Sequence, residues 1–170
     1  FMFDQARAVA LYQGIMRELI IGFKYEARQD LTESLVEFLY LYFQEYYKNL
    51  SIDYIIPVPL HKKRRKLRGY NQSLLLAEGL HKRVRIPLLR DYVLRTKNNP
   101  PLYSLTAAQR QEILKNGFSL NPEINLEGAN IIIIDDIFTT GSTVNQISQL
   151  LKQTGRINKV FVLTLANGSL

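Results

Sequence analysis

The sequence predicts an α/β fold with a mostly parallel central sheet flanked by helices. Strand-like apolar segments alternate along the chain with segments of helical periodicity, the order a parallel sheet requires because each crossover carries a helix. Residues 129–134, Ala-Asn-Ile-Ile-Ile-Ile, are almost wholly β-branched and apolar, as expected of a central strand buried on both faces. A length of 170 residues, 46% of them hydrophobic, suffices for one compact core.

The elements follow in order. Residues 8–12 form a short apolar segment, strand or turn, and after Gly14 the residues Met16, Leu19, Ile20 and Phe23 recur at helical spacing. Asp30 and Glu33 have the spacing of a capping box. Leu31, Leu35, Phe38, Leu39, Tyr42, Phe43 and Tyr46 then mark one face of a helix reaching about Tyr47. Residues 54–56 read as a strand that Pro57 and Pro59 end, since proline lacks a ladder donor, and a loop is expected next. Residues 71–83 read as helix and 88–95 as strand. Residues 144–153 read as a helix stopped by Gly155, and 160–165 as a last strand. No internal repeat, low-complexity tract or interdomain linker interrupts them.

Composition narrows the function. Twenty-two Lys and Arg against 15 Asp and Glu give a formal charge of +7, which favours anionic partners such as phosphates, nucleotides or nucleic acid without choosing among them. The absence of cysteine excludes disulfides, a thiolate nucleophile and cysteine-ligated zinc. No apolar stretch approaches the ~20 residues that span a bilayer, and the N-terminus lacks the layout of a signal peptide. A cytoplasmic protein with no membrane partner is expected. Phe1 precedes Met2, so the true start of the natural chain is not read from this sequence.

Residues 131–143 carry the chemistry: Ile-Ile-Ile-Ile-Asp-Asp-Ile-Phe-Thr-Thr-Gly-Ser-Thr. A buried strand, two acids and a hydroxyl-rich turn opening a helix suit a ribose phosphate. Unpaired amides at a helix N-terminus, with the hydroxyls of Thr139, Thr140, Ser142 and Thr143, can wrap a phosphate, and Gly141 permits close approach. Asp135 and Asp136, at the carboxyl end of the strand, can accept hydrogen bonds from vicinal hydroxyls or orient a hydrated Mg2+ held by the ligand. The plain alternative makes them ordinary turn acids before a capped helix. Neither a Walker loop nor a dinucleotide glycine fingerprint is present.

This stretch resembles the phosphoribosyl-pyrophosphate signature of type I phosphoribosyltransferases, with Phe138 bulkier than the aliphatic residue usual there. A second stretch, residues 57–72, has Pro57-Val58-Pro59-Leu60-His61, then the basic Lys62 to Lys66, then Arg68-Gly69-Tyr70-Asn71-Gln72. Alone, such a run is a solvated face or a nucleic-acid patch. With its flanks it resembles the ComF family, which includes competence proteins needed for DNA uptake. Phe23-Lys24-Tyr25 and the stretch from Arg95 to Phe118 extend the resemblance. Between Arg95 and Phe118, Leu102, Ala107, Gln109 and Ile113 depart from the family pattern.

The resemblance implies a type I phosphoribosyltransferase (Rossmann-like) fold over residues 1–170, its N-terminal ~50 residues forming a helical, hood-like region. It also implies phosphoribosyl pyrophosphate as ligand and Mg2+, held through the ligand, as cofactor. Asp135 and Asp136 would hold the ribose while Lys97 and Arg110 close over it as further catalytic residues. Thr139, Thr140, Gly141, Ser142 and Thr143 would take the 5′-phosphate, and Pro59, Leu60, His61, Arg64 and Arg68 the pyrophosphate. His61 is either a base or a structural residue. The acceptor and the oligomeric state are unreadable. The competing expectation is a DNA-handling or regulatory module of little turnover that retains the fold, with single-stranded DNA or other competence proteins as partners and Tyr70 either stacking on a base or anchoring its loop. The family commonly carries an N-terminal cysteine zinc module, for which these residues hold no ligands.

Overall fold

The computed structural model describes residues 1–96 and 117–168. Its centre is a parallel sheet of four strands in the order β1-β6-β5-β2. These are β1 (Gln5–Leu11), β2 (Tyr54–Pro57), β5 (Asn130–Phe138) and β6 (Lys159–Asn167). A separate antiparallel pair is formed by β3 (Val93–Arg95) and β4 (Phe118–Leu120). The helices are α1 (Gly14–Tyr25), α2 (Thr32–Tyr46), α3 (Lys62–Arg68), α4 (Gln72–Val84) and α5 (Ser142–Gln153).

The isoleucine run explains the layering. Side chains alternate across a strand, so Ile132 and Ile134 enter one core with α1, α2 and α4, while Ile131 and Ile133 enter the other with Val144, Ile147 and Leu151 of α5. All four are fully buried. Consequently α4, which follows β2, and α5, which follows β5, lie on opposite faces of neighbouring strands. The crevice between β2 and β5 is therefore the place where an open α/β sheet holds a ligand. On the first face Gly79 lets α4 approach α2, since a Cβ there would lie 2.4 Å from Val36 Cγ2. Arg83 of α4 pairs with Glu33 and Glu37 of α2 beside it.

Several sequence expectations change. The segment at residues 8–12 is a full edge strand, β1, so the first fifty residues supply a sheet strand as well as α1 and α2. The capping box does not form: Asp30 lies in a 3-10 turn, Gln29–Leu31, and its carboxylate takes the Arg28 guanidinium at 2.7 Å instead. Residues 88–95 are no single strand. Leu88 makes one parallel bridge to Ile55, and only Val93–Arg95 pair further, with β4. The stretch after β2 is the largest change. Instead of a loop it folds as α3, because His61 caps its start through Nδ1, which accepts the Lys63 amide at 3.2 Å, and Gly69 closes its end at φ 86°.

Candidate functional site

Register decides where the acids emerge. Pro57, the last residue of β2, lies opposite Ile134, so β5 loses that neighbour one residue before Asp135. On its other side β5 keeps pairing with β6 as far as Phe138 and Asn167, which places both acids within the strand rather than at its end. Adjacent strand residues diverge, and the two carboxylates meet different partners. Asp136, 8% exposed in its side chain, takes the Lys24 ammonium of α1 at 2.9 Å. Asp135 Oδ1 accepts from Ser73 Oγ at 2.8 Å and from the Asp136 amide at 2.9 Å, and the residue keeps a partly exposed edge.

These environments act on charge in opposite directions. Burial and then repulsion from Asp136 raise the Asp135 carboxyl to about 7, with Lys24 and the Ser73 hydrogen bond pulling the other way. For Lys24 burial works against the ammonium, but attraction and hydrogen bonding to Asp136 outweigh it and the pKa is raised. Ser73 is placed by its helix cap. Asn71 Oδ1 accepts the Ser73 amide at 3.1 Å and Asn71 Nδ2 donates to the Val58 carbonyl at 3.0 Å, tying the start of α4 to the end of β2.

The turn after β5 is shaped by Gly141, which sits before α5 at φ 70°, in the left-handed region. Thr139 and Thr140 are exposed, and the Thr140 and Ser142 hydroxyls lie 2.7 Å apart at the mouth of the helix. Ser142 and Thr143 begin α5, whose first amides point toward the turn. Phe138 does not face this opening freely: it meets Phe1 and Phe3 edge-on, at ring centroids of 6.2 and 6.0 Å.

Across the crevice, α3 carries six basic residues out of seven. The Arg68 guanidinium lies over the Tyr25 ring, 5.3 Å from its centroid. His61 is held neutral: loss of solvation, then the charges of Arg95, Lys63 and Arg64, lower its pKa. Its Nδ1 is engaged in the cap of α3. Pro59 and Leu60 form the link between β2 and this cap. Arg95, at the end of β3, has a buried Nε without a hydrogen-bond partner and lies close enough to Asp135 to feel its charge. Tyr70 is buried, and its hydroxyl donates to the Phe23 carbonyl. It anchors the loop and has no face left for a base. Lys97 and Arg110 lie outside the described residues.

A domain model described as the phosphoribosyl transferase domain matches residues 71–169, more than half of the chain. The chain belongs to the phosphoribosyltransferase domain family. It is 37% identical over 141 residues to competence protein F of Haemophilus influenzae, covering 81% of this chain and 62% of that protein. Competence protein ComFC of Bacillus subtilis is 30% identical over 161 residues, covering 95% of this chain and 63% of its own length. The chain thus spans somewhat less than two thirds of these relatives. Adenine phosphoribosyltransferase from Saccharomyces cerevisiae shares the fold, with a TM-score of 0.51 at 19% identity, over 82% of this chain and 71% of the other. The type I phosphoribosyltransferase fold and the ComF likeness expected from sequence are both found.

For a phosphoribosyltransferase domain, three polar residues of this crevice were not picked out as site residues by sequence reasoning. Lys24 and Arg95 lie in stretches that carried the family resemblance but had no assigned role. Ser73 gave no signal beyond its place at a helix start. Ser73 and Lys24 contact the acids, and Arg95 comes near Asp135, only through tertiary packing.

Proposed function

We propose that this domain binds phosphoribosyl pyrophosphate with Mg2+ in the crevice between β2 and β5. The observation that supports the reading best is the union, in one turn of chain, of a partly exposed Asp135 beyond the end of β2 with a left-handed Gly141 opening α5. Asp135 accepts hydrogen bonds from the ribose hydroxyls. The amides and hydroxyls of Thr139, Thr140, Ser142 and Thr143 hold the 5′-phosphate, with Gly141 giving room for its approach. Arg64 and Arg68 of α3, framed by Pro59, Leu60 and His61, face the pyrophosphate.

Among the described residues no group of three or more His, Cys, Asp or Glu converges to cage a metal. A carboxylate pair already half engaged by Lys24 suits an ion that arrives on the diphosphate and keeps most of its water. When bound, Mg2+ would neutralise charge on the departing pyrophosphate. In transfer, the bond from ribose C1 to the pyrophosphate oxygen breaks and a bond from the acceptor to C1 forms, Asp135 and the backbone amides holding the ribose phosphate in place. Lys97 and Arg110 close over the ligand in this reading.

No helix among the described residues is long and apolar enough to cross a membrane. We read the protein as cytoplasmic and its first fifty residues as a hood-like region. A second reading, a module that binds single-stranded DNA or other competence proteins with little turnover, is favoured by the basic face of α3 and by the names of the competence relatives.

One set of titrations separates the two. Millimolar phosphoribosyl pyrophosphate with magnesium is expected to raise the melting temperature, because a ligand that binds only the folded state stabilises it by mass action; a silent melt and silent calorimetry would remove the first reading. In Arg64→Ala/Arg68→Ala, affinity for phosphoribosyl pyrophosphate should fall by about tenfold or more while ribose 5-phosphate is little affected, since charge-assisted contacts contribute about 1.5–3 kcal/mol each. A loss confined to single-stranded DNA, with a shallower salt slope, would move the assignment to the second reading.

A further inference from the structure

The last turn of α1 touches three separate parts of the crevice. Phe23 offers its carbonyl to Tyr70, Lys24 reaches Asp136, and Tyr25 lies under Arg68. Of these contacts only that of Lys24 changes the charge at the acids. Its side chain is 21% exposed and that of Asp136 8%, so the pair sits largely out of water, where a lone carboxylate would be costly. Two adjacent carboxylates repel each other and repel any polyanion, and one ammonium in contact cancels one of the two charges. The partners also differ in reach. Asp136 is turned toward α1, whereas Asp135 is held by Ser73 from α4 and keeps its exposed edge.

We propose that Lys24 is a positioning residue. By holding Asp136 in an ion pair it leaves Asp135 as the acid presented to the sugar and lowers the repulsion a phosphorylated ligand meets. The inference rests on the ribose-phosphate reading above, and its test keeps the two apart.

The test is calorimetric titration of phosphoribosyl pyrophosphate with magnesium chloride at 25 °C. The proteins are wild type, Lys24→Met, Lys24→Arg, Asp136→Asn and Lys24→Met/Asp136→Asn, each checked for folding by circular dichroism and melting. Lys24→Met should bind about tenfold or more weakly, while Lys24→Arg, which keeps the charge, should recover most of that loss. In the Asp136→Asn background, removing Lys24 should change affinity by less than about threefold, because its partner is already neutral. This comparison stands even if Lys24→Met alone fails to fold, since the double variant buries no lone charge.

A wild type that binds nothing would defeat the ribose-phosphate reading and this inference with it. If wild type binds and Lys24→Met melts lower yet binds equally well, the reading stands and Lys24 is only structural. Losses that multiply in the double variant would show Lys24 acting apart from Asp136, and would overturn the proposal.

Discussion

Replacing Asp135 with Asn is expected to raise the melting temperature at pH 8 while weakening phosphoribosyl pyrophosphate binding by about tenfold or more. The stability gain follows from linkage. A carboxyl whose folded pKa is raised to about 7, by burial and by Asp136, binds its proton more tightly in the native state than in the unfolded chain. Stability is therefore fully present below the ordinary carboxylate value, falls as pH climbs toward 7, and stays reduced above it. A shift of this size sets an upper bound of about 4 kcal/mol, which water at the exposed edge of Asp135 reduces to roughly 1–2 kcal/mol. At about 2–4 °C per kcal/mol, that is a rise of a few degrees. Asn keeps an oxygen for Ser73 and for the Asp136 amide but offers the ribose no charge. The check is a melting series from pH 4 to 8 on both proteins, beside the titration. The difference between the curves should widen through pH 5–7. A variant that melts lower at pH 8 would show that the carboxylate is held by favourable contacts rather than strained by burial; undiminished affinity would show that the acid does not meet the ligand.

Gly141→Ala should be strongly damaging to both the fold and the turn. The position holds φ 70°, which an L-residue adopts at a cost of about 1–2 kcal/mol. The new Cβ would stand 2.6 Å from Phe138 Cζ and 3.0 Å from Phe1 Cε1. Crowding of that kind adds about 1–3 kcal/mol and pushes the turn off the geometry its amides need. Together the two effects predict a melting temperature lower by roughly 4–20 °C and a weakening of ribose 5-phosphate binding by about tenfold or more. Adding Phe138→Leu removes the crowded ring and should return part of the stability, leaving the backbone strain. That partial recovery separates the two causes. A Gly141→Ala protein that melts and binds like wild type would show that the turn tolerates a side chain and that its left-handed form is not what holds the phosphate.

How much of this was legible in sequence depended on whether the determinants were neighbours along the chain. Four consecutive isoleucines favour a strand covered on both faces, because β-branching is a local preference and alternation then sends side chains to both sides. The acids and the hydroxyl-rich turn are contiguous in the chain for the same reason: one turn of backbone at a helix start suffices for the proposed phosphate site. The basic run after β2 was legible as charge but not as helix, because a seven-residue segment of like charge has little helical tendency of its own and is decided by its ends. His61 and Gly69 supply those ends. The capping box at Asp30 failed through a local competitor, the Arg28 guanidinium two residues away.

Tertiary structure alone decided which acid is ion-paired and which keeps an exposed edge. Ser73 lies 62 residues from Asp135, and Lys24 comes from the first helix to reach Asp136. No periodicity or spacing encodes such a meeting. It arises because β2 stops at Pro57, opposite Ile134, and α1 and α4 close over the same face of the sheet. Sequence thus determined the chemical groups that one turn of chain can carry. The packing of distant helices determined their charge, because burial and ion pairing act through space.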